Sequence, residues 1–468
     1  IDYTDDVIHI GHAYQKIVAD VYARYHRVIG DKTFFLTGVD SHGGKVEHAA
    51  HEKGRDVAEY SDEIAEKDKE QQNSLNISYD RFIKTTDLDH IKIAQEFWQK
   101  VKVAGDIYLG DFTGLYCPGC EGYLTEKDLV NGKCPYHPTS QCQTLTEKNY
   151  FFTWHKYEDF LRNHIKNNPN FILPESRRNE MLSFLDEGLK DIPISRPTVK
   201  WGIPVPGDAS QTTYVWFEAL INYLTGGLQS GFWGEGVEIV HFLGKDNLRW
   251  HALLWPAMLK SAGYRLPTTI YAHGFISLNG QKISKSLGNI IRPKELVEQF
   301  GADAVRYYLL KVKNLADDGD LSLEKLKEIY NSDLANGLGN LVARVAKLCE
   351  NLGLRFATKL LRSQENCYTP EYRRLFNEYR LNEALTFIWQ KIAAADKFID
   401  EEKPWEQLKS KNEKVKSKKL EEVLQKLVGE IREIAELLVP FMPETAEKIK
   451  ARFAGPKIKS APPLFPRI

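Results

Sequence analysis

The sequence predicts an α/β domain built on a parallel sheet, followed by an α-helical bundle. Three observations carry that class. Short apolar runs end in polar, glycine-containing loops, as in "TFFLTGVDSHGG" and "EIVHFLGKD". Each such run stands next to an amphipathic segment with helical spacing, the alternation that parallel sheets require. From about residue 321 strand signals nearly cease, leaving three long amphipathic stretches. A chain of 468 residues exceeds one hydrophobic core, so two to four domains are expected. With 63 Lys and Arg against 64 Asp and Glu the formal net charge is −1, which excludes a strongly basic coat and makes any nucleic-acid contact regional. No long apolar run or charged-then-apolar leader is present, so neither a membrane span nor a secretory signal is expected, and the cytoplasm is the expected compartment.

Taken in order, "AYQKIVADVYARYHRVIG" places Ile17, Val18, Val21 and Tyr25 at helical spacing and stops at Gly30. The strand in "TFFLTGVD" follows, then a helix in "KVEHAAHEKG". Further on, the strand "EIVHFLGKD" leads into the helix "NLRWHALLWPAML", and "TTIYAHGFI" is a further strand. Ligands of such sheets sit beyond the carboxyl ends of the strands. The bundle comprises "LEKLKEIYNSDLANGLGNLVARVAKLCENL", "EYRRLFNEYRLNEALTFIWQKIAAADKFI" and "KKLEEVLQKLVGEIREIAELLVPFM". The lysine-rich "KSKNEKVKSKK" reads as a solvated helix face or loop.

Two motifs carry chemistry together. His9 and His12 bracket Ile10 and Gly11 at the start of the first helix, where free N–H groups and the positive end of the dipole attract an anion. Far downstream, "GQKISKSLGN" sets Lys282, Ser284, Lys285 and Ser286 between glycines, offering two point charges to phosphate oxygens. Alone, the first is an ordinary helix cap and the second an ordinary surface loop.

Four of the six cysteines fall in residues 117–142. Cys117 and Cys120 form a C-x2-C pair, Cys134 and His137 a C-x2-H pair thirteen residues on, and Cys142 is left over. Such half-sites fit a structural zinc knuckle closed by four protein ligands. A metal-free reduced loop, or Cys142 in place of His137 as fourth ligand, are the alternatives. In the bundle, Asn336, Asn340 and Arg344 recur every fourth residue and line one face, with Leu334, Leu338, Leu341, Val345 and Leu348 on another. Two amides and a guanidinium suit base edges, and Trp405 after the rigid Pro404 suits stacking on an unpaired base; a solvated helix face is the alternative. Residues 401–468 hold 15 Lys and Arg against 11 Asp and Glu, a local excess that permits RNA contact.

The pairing of "HIGH" with "KISKS" resembles the two signatures of class I aminoacyl-tRNA synthetases, with a Rossmann-type catalytic domain. "IDYTDDVIHIGHAY", "FFLTGVDSHG", "CPGC" with "CPYH", "ISRP", "WGIPVP", "YVWFEALINY", "GKDNLRWHALLWPAML", "NGLGNLVAR" and "KPW" extend the likeness along the whole chain and resemble the methionyl-tRNA synthetase family. The resemblance implies five segments. These are the first half of the catalytic domain at 1–110, a zinc-knuckle connective insertion at 111–195, the second half at 196–256, a lysine-loop and stem-contact region at 257–320, and a helical anticodon-binding domain at 321–468.

It implies that methionine is activated by ATP to methionyl-adenylate and passed to tRNA(Met), initiator tRNA included. His9, Gly11, His12, Lys282, Ser284, Lys285 and Ser286 would bind ATP with its Mg2+, the four His and Lys residues acting in catalysis. Ile1, Tyr3, Trp216, Tyr223 and His251 would form the methionine pocket, with Asp246 among its residues, Asp40 on the ammonium and Arg196 supporting Asp40. For Trp216, Tyr223 and His251 taken singly, core packing is the alternative. Cys117, Cys120, Cys134 and His137 would hold one structural zinc, and Asn336, Asn340, Arg344, Pro404 and Trp405 would read the CAU anticodon.

Three departures stand out. Ile283 replaces the usual methionine of the lysine loop, and Ser41 and Gly44 replace a glutamate and a glutamine. The family strand that runs into "HIGH" would begin before Ile1, so a preceding segment is expected. A monomer is expected, since the dimerising C-terminal domain of some relatives has no counterpart. The competing functions are a class I synthetase for another apolar amino acid, a small-molecule nucleotidyltransferase, and a non-catalytic tRNA-binding paralogue. The editing insertion of the leucine, isoleucine and valine enzymes does not fit this length, a nucleotidyltransferase has no use for the bundle, and intact His9, His12, Lys282 and Lys285 oppose the paralogue.

Overall fold

The structure is a computed structural model that describes residues 1–119, 122–124, 126, 129–135, 137–283, 288–356, 367–407 and 413–468. It divides into two compact units. The first comprises Ile1–Ile8, Phe34–Gln71 and Tyr79–Gly274, the second His9–Thr33, Gln72–Ser78 and Phe275–Ile468.

In the first unit, parallel strands alternate with helices. Asp2–Tyr3, Leu36–Asp40 and Arg81–Lys84 form one sheet with the Leu36 strand in the middle, Tyr3 opposite Asp40 and Val39 opposite Lys84. The strands approach so closely that a Cβ at Gly38 would lie 1.9 Å from the Ile83 carbonyl oxygen, which only glycine avoids. Val240–Gly244 and Thr269–His273 pair in parallel over five residues, and Ile172–Leu173 joins the far side of the latter. Both expected strands are therefore present, shortened at both ends. The helix expected after the Val240 strand is irregular at first: a 3-10 turn at Lys245–Asn247, a π turn at Trp250–Leu254, then Trp255–Ser261.

A four-stranded antiparallel sheet, most of it in the segment expected to be the insertion, is ordered Gly122–Leu124, Ile107–Cys117, Gln143–Phe152, Ile192–Pro193. Its long central pair runs in register from Ile107 opposite Phe152 to Tyr116 opposite Gln143. Phe97, Trp98, Phe152, Phe217 and Trp255 lie in one buried cluster, with Trp98 and Phe217 packed edge to face at 5.4 Å.

The second unit begins with the helix Ile10–Val28 and contains a small sheet, in which Ile276–Leu278 lies between Gln281–Lys282 and Gly319–Leu321. Beyond it the described elements are helical: Leu323–Ile329, a π segment Tyr330–Gly339 and Asn340–Leu352 in succession, then Pro370–Asn377, Leu381–Glu402, Pro404–Gln407, Glu413–Leu438 and Pro443–Phe453. The lysine-rich tract is helical from Glu413. Leu334, Leu338, Leu341 and Val345 are buried as their stripe requires, while Leu348 is half-buried. A fully buried ion pair ties the first helix into this unit. Arg306 meets Asp20 at 2.7 Å and donates to the carbonyls of Phe441, Pro440 and Leu75. Four partners for one guanidinium satisfy a buried charge that would otherwise be strongly destabilising.

Candidate functional site

In the second unit His9 caps the first helix. Its backbone is extended, and its Nδ1 accepts from the Gly11 N–H at 3.0 Å, while Nδ1 of His12 accepts from the His9 N–H at 3.2 Å. The two rings lie 3.9 Å apart between centroids. With both Nδ1 atoms used as acceptors, each neutral ring carries its proton on Nε2, so the cap turns two imidazoles into N–H donors. A Cβ on Gly11 would stand 2.9 Å from Cε1 of His9, and this explains the glycine. Lys282 is exposed at the end of its short strand, with its carbonyl accepting from the Asn289 amide at 3.0 Å. Ile283, where the family loop usually has methionine, is buried. Ser284, Lys285 and Ser286 lie outside the described residues.

The first unit assembles another group at the ends of its parallel strands. Asp40 is the buried last residue of the middle strand, and its Oδ1 accepts from the Thr85 hydroxyl at 3.5 Å. Ser41 donates its N–H to the same hydroxyl at 2.9 Å. Ile1, Tyr3 and Trp216 pack together on Tyr214, Val215 and Ala219, and Trp216 stacks on Trp250 at 5.1 Å. The Trp216 ring meets His251 edge-on at 6.3 Å, and the Tyr223 hydroxyl donates to Nε2 of His251 at 2.9 Å. Burial, with the Asp2 charge adding to it, holds the Tyr223 phenol well above its usual range. His241 stacks on Tyr223 at 4.0 Å, and burial with His251 beside it keeps its imidazole neutral. Thus Ile1, Tyr3 and Trp216 share one cluster, and Tyr223 and His251 are joined to it through Trp216. Asp246 is exposed in the turn after the Val240 strand.

Arg196 is buried against Glu147, donating from Nε at 2.9 Å, with its guanidinium 4.5 Å from the Tyr116 ring centre. Although burial opposes the charge, the Thr198 hydroxyl and Arg196 hold the Glu147 carboxyl below its usual range. Sequence reading missed Glu147, Trp250 and His241, and also a buried His42–Glu218–His90 network. Only "HFLGKD" carried a signal, since a histidine inside an apolar strand is unusual.

In the insertion, ligand atoms of Cys117, Cys134 and His137 converge to within 4.8 Å of one another, with both cysteines fully buried. Two thiols and an imidazole so placed fit a thiophilic metal ion. Cys120 lies outside the described residues, and Cys142 stands outside the group.

In the helices of the second unit, Arg344 lies over the Trp405 ring at 5.3 Å and pairs with Asp400 at 2.7 Å, following buried Pro404. Asn340 is exposed, and Asn336 accepts from Arg467 at 2.9 Å. Among the described residues no helix is long and apolar enough to cross a membrane.

A family profile described as tRNA synthetases class I (M) matches residues 1–146 and 139–346. The methionine–tRNA ligase of Caldanaerobacter subterraneus subsp. tengcongensis is 39% identical, over 100% of this chain and 78% of its own. That of Thermotoga maritima is 40% identical over 97% and 74%. Among solved structures, Mycobacterium tuberculosis methionyl-tRNA synthetase bound by methionyl-adenylate superposes with a TM-score of 0.91 at 36% identity, covering 100% of this chain and 98% of that one.

Proposed function

The chain belongs to the methionyl-tRNA synthetase family of class I, the methionine–tRNA ligases, and from that premise we propose which of its residues carry the reaction. The activity is the joining of methionine to tRNA at the expense of ATP. A methionine carboxylate oxygen attacks the α-phosphorus, the bond to the β-phosphate oxygen breaks and pyrophosphate leaves; a ribose hydroxyl at the tRNA 3′ end then displaces AMP.

Asp40 holds the α-ammonium, a role supported by a buried carboxylate at a strand C-terminus. Arg196 supports that carboxylate, and Asp246 contributes from the turn. Ile1, Tyr3, Trp216, Tyr223 and His251 surround the thioether, a polarisable group that suits aromatic faces and accepts only weak hydrogen bonds. The observation that carries this reading is the Tyr223–His251 hydrogen bond set beside the Trp216 ring, a single polar pair in an aromatic wall.

His9, Gly11, His12, Lys282, Ser284, Lys285 and Ser286 grip the ATP phosphates. Two Nε2–H donors fixed by the helix cap, joined by lysine charges, stabilise charge that grows in the transition state, and no enzyme nucleophile is needed. Mg2+ arrives with ATP. Cys117, Cys120, Cys134 and His137 bind one structural zinc, which when bound ties the turns of the insertion and leaves no position open for substrate. Asn336, Asn340, Arg344, Pro404 and Trp405 read the CAU anticodon of initiator and elongator tRNA(Met), a reading supported by the guanidinium held over the indole. The five segments named from the sequence, a monomeric state and a cytoplasmic location complete the proposal.

Methionine titration in pyrophosphate exchange tests the pocket. Trp216→Ala should raise KM for methionine by about tenfold or more with KM for ATP unchanged, since an aromatic wall is lost from one substrate alone. An unchanged methionine KM would reject the pocket.

A further inference from the structure

Glu218 is fully buried two residues after Trp216, in the helix Val215–Ala219. Each of its carboxylate oxygens has its own imidazole: Oε1 lies 3.0 Å from Nδ1 of His42, and Oε2 lies 2.9 Å from Nε2 of His90. His42 stands two residues after Asp40, and His90 opens the helix Leu88–Val103, with its other nitrogen 3.2 Å from the Thr225 hydroxyl. Burial opposes the Glu218 charge, yet the two histidines hold the carboxyl below its usual range. Trp201 closes the other side of the loop, donating from Nε1 to the Ser41 carbonyl, accepting from the Gly43 N–H at 3.0 Å and meeting the His42 ring edge-on at 5.5 Å.

A buried charge with a donor on each oxygen resists rearrangement, because moving either histidine leaves one buried carboxylate oxygen without its donor. The segments it joins are those that carry Asp40 and Trp216. We propose that Glu218 is a positioning residue for methionine: through His42 it sets the distance between the carboxylate that takes the ammonium and the indole that meets the thioether. Both ends of one substrate then depend on a single buried network that touches neither. The inference rests on the assignment of Asp40 and Trp216 to the methionine site.

The test is pyrophosphate exchange with KM measured separately for methionine and ATP in Glu218→Gln, His42→Asn and the double variant, each checked for folding by thermal melting. Glu218→Gln and His42→Asn should each raise methionine KM by about tenfold, as expected for one lost charged hydrogen bond, and leave ATP KM within about twofold. The double variant should be no worse than the poorer single, because both act through one contact. Equal rises in both KM values, no rise in either, or effects that multiply in the double variant would overturn the proposal. If Glu218→Gln does not fold, His42→Asn decides on the same terms. Asp40→Asn and Trp216→Ala run alongside: normal methionine KM in these would remove the site assignment and the inference with it. Raised values there with normal values in the Glu218 series would remove the inference alone.

Discussion

The Tyr223 hydroxyl donates to Nε2 of His251 across 2.9 Å, and Nδ1–H of the same ring donates to the Asn247 carbonyl at 2.9 Å. Both nitrogens are engaged, which fixes the neutral Nδ1–H tautomer. Burial pushes this imidazole down from the usual 6.5 to about 4. In the proposed pocket this pair would present a neutral, preset polar edge to a neutral thioether, and burial opposes a protonated ring.

A pH dependence follows. Between the usual value of 6.5 and the folded value of about 4, the unfolded chain binds a proton that the folded chain refuses. The resulting stability is complete above about pH 6.5 and is lost as pH falls toward 4, on the order of 3 kcal/mol for this one group. Urea unfolding at pH 7 and pH 4.5 should show His251→Gln losing less stability on acidification than the parent. Equal losses would contradict the assignment.

Gly11→Ala should damage the nucleotide half. Its Cβ would lie 2.9 Å from Cε1 and 3.0 Å from Nδ1 of His9, so the ring must turn away and release the Gly11 N–H. Loss of the cap costs about 1 kcal/mol of stability, and loss of the aimed Nε2 donor should lower the exchange rate by roughly tenfold or more. An alanine variant that melts and exchanges like the parent would show that the cap does not aim the histidines.

Metal content tests the insertion. Purified chain should carry about one zinc ion, and Cys134→Ser should lose it together with the structure of the turn that it closes. Metal analysis by mass spectrometry, with limited proteolysis of the same samples, makes the comparison. Parent protein without tightly bound metal, or a variant that retains it, would contradict the knuckle.

The His9 motif is legible in the sequence because a helix cap is local: His9, Gly11 and His12 meet within one turn. The Cys117–Cys120 and Cys134–His137 pairs are legible for the same reason, each being a spacing of three residues in the sequence. Glu218 is not, since His42 and His90 lie 176 and 128 residues from it and no local pattern marks a carboxylate that will be buried. Glu147 escaped in the same way, as an ordinary charged residue in a strand whose partner Arg196 comes 49 residues later. Periodicity located the long helix through Leu334 and Val345 but not the π segment Tyr330–Gly339, because a shift of hydrogen-bond register changes the backbone without changing residue types.

The helical part should act on tRNA alone. Arg344 lies over Trp405 at 5.3 Å and is held by Asp400, and under the proposed reading the indole takes an unpaired base. Trp405→Ala should lower kcat/KM for charging CAU-bearing tRNA by roughly 10- to 100-fold, the worth of one stacked base, with methionine-dependent exchange intact. Full charging by this variant, or indifference of the parent to a permuted anticodon, would leave the stripe as a solvated helix face.

Pyrophosphate exchange with each of the twenty amino acids tests the central claim most directly, run on the parent and on Lys282→Ala. The parent should exchange strongly with methionine and weakly or not at all with the other nineteen. Lys282→Ala should lose roughly 10²-fold or more of that rate, as expected when a placed charge is removed from a phosphoryl transition state. Exchange led by another amino acid, or a Lys282→Ala rate equal to the parent's, would contradict the account.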